Sequence, residues 1–449
     1  MDDPGTSADF TPPFAKGENS TGKEATMLWY ARALVILGIV LSLGSASQAQ
    51  TPAPQSQPPP AEVARPETKL AVFDEVWQSV RDHFYDPTLH HLDWTAIRDK
   101  YRPLAAAAAD EERSAVINRM LDELAASHTR YYTSADPAYY QLLDIFAGPL
   151  RRELRRAFPD GQVIYPSIGI FTQRSADKTF ISGILDGFPA AKAGLLVGDE
   201  LLAADGTPYH PIQSLTAKVN QEVTLQVRRS LDAPPHEVVV VPQQTKPNEA
   251  FLKAMQESAR VIHTHGVAVG YIHVWSYAGT QYQRLLEHEI FSGALKEAEA
   301  LVLDLRDGWG GAQAHYLDLF NAQGPTVTMA DRRGDVSVAN VKWRKPVVML
   351  INGGTRSGKE ILAYGFKKYG MGEVIGTRTA GAVLAARAFL LSDGSLLVLA
   401  VNNVFVDGER LEGVGVTPTL EVPFTVEYAQ GKDPQLERAL EFLSRSVRG

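Results

Sequence analysis

The chain has 449 residues, which at ~150 residues per domain suggests about three domains. A hydrophobic share of 45% and a charged share of 21% are those of a globular protein and exclude wholesale disorder. A net charge of −8 argues against a basic nucleic-acid binder. The absence of cysteine excludes disulfides, thiolate nucleophiles, iron–sulfur clusters and cysteine-based zinc sites.

At the amino end, residues 33–43 form one short apolar run. A comfortable transmembrane helix needs ~20 apolar residues. Arg32 precedes the run, and Ser47-Gln48-Ala49 follows it with small residues at the −3 and −1 positions. This reads as a secretory signal peptide cleaved after Ala49, so residues 1–49 are assigned to export. An uncleaved membrane anchor is the alternative. Residues 1–26 are an odd preface to such a signal, and Met27 is a second candidate start. Residues 50–67 are rich in Pro and Gln and read as a linker. The expected location is the periplasm or the exterior, with membrane tethering only through the uncleaved signal.

Residues 68–150 look helical. Leu70, Val72, Phe73, Val76, Trp77 and Val80 recur at helical spacing, Asp93 can cap a helix starting at Trp94, and Val116, Ile117, Met120, Leu121 and Leu124 form another stripe. Residues 163–245 change character. Short β-rich runs (168–171, 180–184, 222–228 and 237–241) alternate with Gly, Pro and Asp turns. From about residue 250 the pattern becomes strand–helix–strand. The strand candidates are 267–274, 300–305 and 346–351, and the helical stretches lie near 279–297, 312–322 and 357–369.

The β-rich segment carries Pro189-Ala190, Ala193-Gly194-Leu195, Gly198-Asp199 and Asp205-Gly206 in order. It resembles a PDZ domain closely. That resemblance implies peptide binding by strand addition at a sheet edge, with backbone amides receiving a carboxylate. The candidate carboxylate loop and strand comprise Ser167, Ile168, Gly169 and Ile170. The same fold also serves as a spacer or lid elsewhere, so fold alone does not fix the role.

Asn352-Gly-Gly-Thr-Arg-Ser357-Gly-Lys-Glu360 follows an apolar strand and precedes a helix. Free N–H groups at that helix N-terminus could stabilise an oxyanion beside Ser357. A simple helix cap is the competing role for this serine. Gly353 to Lys359 also satisfies G-x-x-x-x-G-K, the start of a phosphate-binding loop. Glu360 stands where that motif needs Ser or Thr, which makes nucleotide binding a remote alternative.

Three segments together narrow the choice. Leu301-Val-Leu-Asp-Leu-Arg306-Asp-Gly-Trp-Gly310-Gly311 resembles the strand and glycine turn of the C-terminal processing (tail-specific) serine proteases. Ser357 to Glu360 resembles that family's nucleophile turn, and Asp407 to Pro418 its closing Gly-Val-x-Pro segment. The likeness covers roughly residues 68–449, in the order helical region, PDZ domain, α/β core. Many members use a Ser–Lys dyad, whose lysine would fall at Ala382 here. The branch typified by the core of tricorn protease uses a Ser-His pair before the PDZ domain and a glutamate near the closing segment. This chain has Ser127-His128 and Glu412 at the matching positions.

The resemblance implies a catalytic set of Ser357, His128, Ser127 and Glu412, with Gly310 and Gly358 as the oxyanion hole. A serine hydroxyl needs a base within reach, and the base needs a third group to orient it. Other histidines, including His90-His91 and His263-Thr-His265, lack carboxylates at metal-ligand spacing and read as solvated loops. Lys359, two residues beyond Ser357 on a helix, would not face it.

The sequence therefore predicts an α/β and β multi-domain protein. It has an N-terminal helical region (68–150), a PDZ domain (163–245) and a crotonase/Clp-protease-like α/β core with repeated β-β-α turns (250–449). The expected function is an exported serine endopeptidase acting through an acyl-enzyme on proteins or peptides. It needs no metal and no cofactor, binds no nucleic acid, and could form a homo-oligomer. A catalytically inactive peptide- or ligand-binding relative of the same fold is the alternative.

Overall fold

The computed structural model describes residues 66–448 apart from 324, 326, 340 and 341. The signal peptide, the second start and most of the linker lie outside these residues. Among the described residues no helix is long and apolar enough to cross a membrane.

The carboxyl-terminal part is built on a six-stranded sheet. Its order is Arg260–Thr264, Val267–His273, Ala300–Asp304, Val347–Ile351, Glu373–Gly376 and Leu420–Glu421. The first pair is antiparallel and the remaining pairs are parallel. Parallel strands are covered on both faces, so they read as unbroken apolar runs. Val347–Ile351 and Ala300–Asp304 are buried at every position. Alternate residues serve opposite layers. Leu301, Leu303, Met349 and Ile351 pack with Phe251, Tyr282, Leu286 and Phe366 from three helices on one side. Val302, Val348 and Leu350 pack with Ala439 and Leu443 of the helix Pro434–Arg448 on the other.

A smaller sheet joins distant parts of the chain. Arg130–Tyr132 pairs antiparallel with Leu396–Asn402, which pairs with Ala385–Leu390. The amino-terminal helices Pro66–His83, Trp94–Ala107 and Asp110–Asp122 cover it, through Phe73, Val76, Ile117 and Met120 packed with Leu397 and Leu399. Asp93 caps the second helix by accepting from the Ala96 N–H, as its spacing predicts. The helical region thus shares a core with strands more than 250 residues away in sequence.

Residues 165–245 form a separate β-rich layer. Ile170–Ser175, Lys178–Ile184, Glu200–Ala204, Val223–Arg228 and His236–Val240 make one antiparallel sheet around Ile181, Leu201, Val223, Leu225 and Val227. The short helices Pro189–Lys192 and Gln213–Thr216 flank it.

The stretch expected to be α-helical near 312–322 is a 3₁₀ segment, Ala314–Phe320. Its buried pairs, Tyr316 with Leu319 and Leu317 with Phe320, are three residues apart. That spacing suits three residues per turn better than 3.6.

Candidate active site

The nucleophile candidate sits where the buried strand Val347–Ile351 turns into the helix Gly358–Lys368. Ser357 has φ 59° and ψ −132°, a combination costly for any residue with a Cβ. The surroundings hold it there. Its N–H donates to the Ala382 carbonyl at 2.7 Å and to Glu360 Oε2 at 3.2 Å. The fully buried Glu360 carboxylate also accepts from Thr379 Oγ1 (2.5 Å), Gly381 N–H (2.7 Å) and Ala382 N–H (2.7 Å). Burial raises the pKa of Glu360, and these donors oppose that rise. One carboxylate therefore ties the nucleophile turn to the 379–382 loop.

His128 arrives from the other sheet. It lies in the turn before Arg130–Tyr132, itself with φ 52°. Buried Thr129 anchors the turn by accepting from the Ala400 N–H at 3.4 Å. Ser127 Oγ lies 3.0 Å from His128 Nδ1 and donates to Glu412 Oε2 at 2.8 Å. A hydroxyl has one proton, and the carboxylate takes it. The proton between Ser127 and His128 must then sit on Nδ1, which leaves Nε2 as a lone-pair acceptor. Glu412, only 7% exposed, also accepts from the N–H groups of Ser127 (2.9 Å), Val383 (2.9 Å) and Leu384 (3.3 Å). Burial lowers the His128 pKa to about 4, Arg356 adds to the drop, and Glu412 opposes it. The imidazole is therefore neutral at pH 7, as a base must be.

Ser127, His128, Gly310, Ser357 and Gly358 all line one cavity of about 590 Å³. Among the described residues no hydrogen bond joins His128 to Ser357 in this conformation, and catalytic contacts often tighten only with substrate. Gly310 lies directly against the nucleophile. A Cβ there would stand 2.4 Å from Ser357 Cβ and 3.0 Å from its Oγ. A Cβ on Gly358 would meet Ala312 N and O at 2.4 Å. Among the described residues neither glycine N–H donates to a protein carbonyl outside a helix or strand. The arrangement can supply a base, a nucleophile and two amide donors to one reacting carbonyl.

Two competing roles for this segment meet obstacles. Lys359 is fully buried, with Nζ donating to the Asp307 carbonyl at 2.8 Å, and burial lowers its pKa to about 7. It is committed to that carbonyl and is not presented to a phosphate at the loop mouth. Ala382, where a dyad lysine would fall, contributes only backbone bonds to Ser357 and Glu360.

A second cavity of about 440 Å³ adjoins the first. Ser167, Ile168 and Ile170 line it, with Leu215 opposite and Trp309 and Arg356 at the wall shared with the catalytic cavity. Gly169 is placed beside these residues, but its N–H donates to Ser167 Oγ at 2.9 Å, so that amide is occupied. Two residues here lie outside the predicted catalytic set, and pattern reading passed over the first of them. Gln141 is a buried polar residue between Tyr140 and Leu142. Its amide accepts from Trp309 Nε1 at 2.9 Å and donates to Tyr165 Oη at 3.1 Å. Arg356 directly precedes the nucleophile and stacks on Trp309, 5.6 Å from the ring centre.

Comparison with known proteins bears on the family likeness and the fold. Residues 268–422 match the model of peptidase family S41, and residues 66–122 match that of the tricorn protease C1 domain. These likenesses are to serine-type peptidases. The chain is 28% identical over 391 residues to tricorn protease homolog 2 of Streptomyces coelicolor, covering 82% of this chain and 31% of that protein. It is 25% identical over 446 residues to the carboxyl-terminal-processing protease of Synechocystis, covering 95% of both chains. The crystal structure of the tricorn protease superposes with a TM-score of 0.52 at 21% identity, covering 86% of this chain and 37% of that one. The mixed α/β multi-domain fold is thus shared with tricorn protease, and the chain spans about a third of the length of the tricorn-type relatives it matches.

Proposed function

We propose that the chain is an exported serine endopeptidase of the Ser/His type that cleaves proteins or peptides through an acyl-enzyme. The observation that carries this reading is the relay from Glu412 through Ser127 to His128, ending on the cavity that holds Ser357. His128 Nε2 takes the Ser357 proton as Oγ attacks the scissile carbonyl. The N–H groups of Gly310 and Gly358 receive the oxyanion. The imidazolium then protonates the leaving amine, and water repeats the sequence on the ester. Glu412 steadies the imidazolium through Ser127.

The β-rich layer acts as a PDZ-type module that receives substrate carboxyl ends in the groove beside Ile168 and Ile170. The strand–helix groove and its opening toward Trp309 support that role. The test incubates the full chain and its Ser357→Ala variant with an unfolded protein and a peptide library, and reads products by mass spectrometry. Cleavage by the wild type alone is expected. No cleavage by either, with both folded, would favour a binding protein built on the peptidase fold. Export is tested by sequencing the amino terminus of the mature protein, which should begin at Gln50.

A further inference from the structure

Arg356 is the cation closest in sequence to the nucleophile, and nothing in the relay requires it. Its Nε donates to the Gly354 carbonyl at 3.3 Å, and its Cζ lies over the Trp309 ring, 5.6 Å from the centre. These contacts use one nitrogen and one face of the guanidinium. Among the described residues no carboxylate lies within ion-pairing distance of it, although arginines 98, 102, 228, 229 and 306 are all paired. The group lines both the catalytic cavity and the adjoining groove. It is half-buried there, so it is partly desolvated without a counter-ion. An aromatic face under a guanidinium fixes its plane and leaves the outer edge free for a two-toothed contact to a carboxylate.

We propose that Arg356 is a specificity-determining residue that selects substrates carrying a carboxylate close to the bond that is cut. The inference rests on the peptidase reading and adds a substrate class to it. Two sources offer that chemistry: an Asp or Glu side chain near the scissile bond, or the free carboxyl end of a short leaving segment. The same guanidinium opposes protonation of His128, because two positive charges would then face one cavity. A substrate carboxylate paired with Arg356 offsets that repulsion. The preference should therefore appear in kcat as well as in KM.

The test uses one peptide sequence in three forms: an acidic residue scanned across the positions flanking the cut with an amidated end, a neutral sequence with a free end, and a neutral sequence with an amidated end. Turnover is measured with the wild type, and binding by fluorescence polarisation with the Ser357→Ala chain. At least one carboxylate-bearing form should bind and turn over ~10–100-fold better than the neutral amidated form, the range of a charge-assisted contact. Arg356→Gln should collapse that ratio, and Arg356→Lys should restore part of it. Whether the acidic or the free-ended form wins identifies the source. Equal binding of all three forms, or a ratio that survives Arg356→Gln, overturns the proposal. If the wild type cuts all three forms equally, the peptidase reading stands and the role of Arg356 falls. If it cuts none while Ser357→Ala shows the Arg356-dependent preference, carboxylate selection stands and the peptidase reading falls.

Discussion

Ser357 and His128 line one cavity but come to it from different sheets. Ser357 rides on a strand buried at every position, in the middle of the six-stranded sheet. A buried carboxylate on its own helix locks the turn. His128 stands beside a three-residue strand in a three-stranded sheet and is oriented through Ser127, whose carboxylate partner lies 285 residues further along the sequence. The nucleophile half is thus assembled locally and held by the main core. The base half exists only where residues 127–132 meet the 396–412 segment. In this molecule the electrostatics of the base depend on long-range folding far more than the geometry of the nucleophile does.

His128→Ala should lower kcat/KM by about 10⁴-fold or more, as loss of a triad base does elsewhere, with circular dichroism unchanged. In the wild type the acid limb follows from the direction of the His128 shift. Protonation removes the acceptor lone pair, so activity should hold as pH falls through 6.5 and be lost only near the lowered value of about 4. Arg356 and Glu412 act on this imidazole with opposite signs, and Asp122 and Arg130 line the same cavity. Arg356→Gln should therefore move the acid limb upward. A limb near pH 6.5 in the wild type would contradict the buried, neutral imidazole.

On the nucleophile side, Gly310→Ala would place a methyl 2.4 Å from Ser357 Cβ. That clash would push the residue 310 N–H away from the oxyanion, and the expected loss is about 100-fold or more, as for an oxyanion donor removed, measured as kcat with KM followed in parallel. Leu397 is fully buried in the small sheet under the amino-terminal helices. Leu397→Ala should cost about 2–5 kcal/mol and should make activity fail at lower urea than the far-ultraviolet signal of the main sheet. Coincident transitions would show that the two sheets unfold together and would blunt the contrast drawn above. The smallest effect belongs to Gln141→Leu. It leaves Trp309 Nε1 and Tyr165 Oη without their partner, costs about 1–3 kcal/mol, and should slow cleavage severalfold by loosening the turn that carries Gly310.

The same contrast explains what the sequence made legible. A strand, a glycine-bearing turn and a helix follow one another around Ser357, so residue order alone shows a helix N-terminus beside a hydroxyl. The apolar runs at 300–304 and 347–351 announce buried parallel strands for the same reason. His128 and Glu412 carry no local pattern that pairs them, and only the family likeness singled them out. Their meeting depends on Tyr131 pairing with Leu397, which no window of neighbouring residues contains. Gln141 was legible in principle, as a polar residue inside an apolar helical stripe. Its two partners were not, because Trp309 and Tyr165 come from two other layers. The guanidinium of Arg356 could have turned to solvent, and its stacking on Trp309 is a tertiary outcome.

The span between Ser127 and Glu412 also sets a timetable. A growing polypeptide presents its imidazole early and its nucleophile after four-fifths of the chain, yet the carboxylate that fixes the imidazole tautomer emerges only at residue 412. The strand that seats the Ser127-His128 turn, Leu396–Asn402, emerges only shortly before it. An interrupted product ending before these segments would contain both reacting side chains and still lack the means to align them. In the proposed peptidase, alignment of the two reacting groups therefore waits for the segment that carries Glu412.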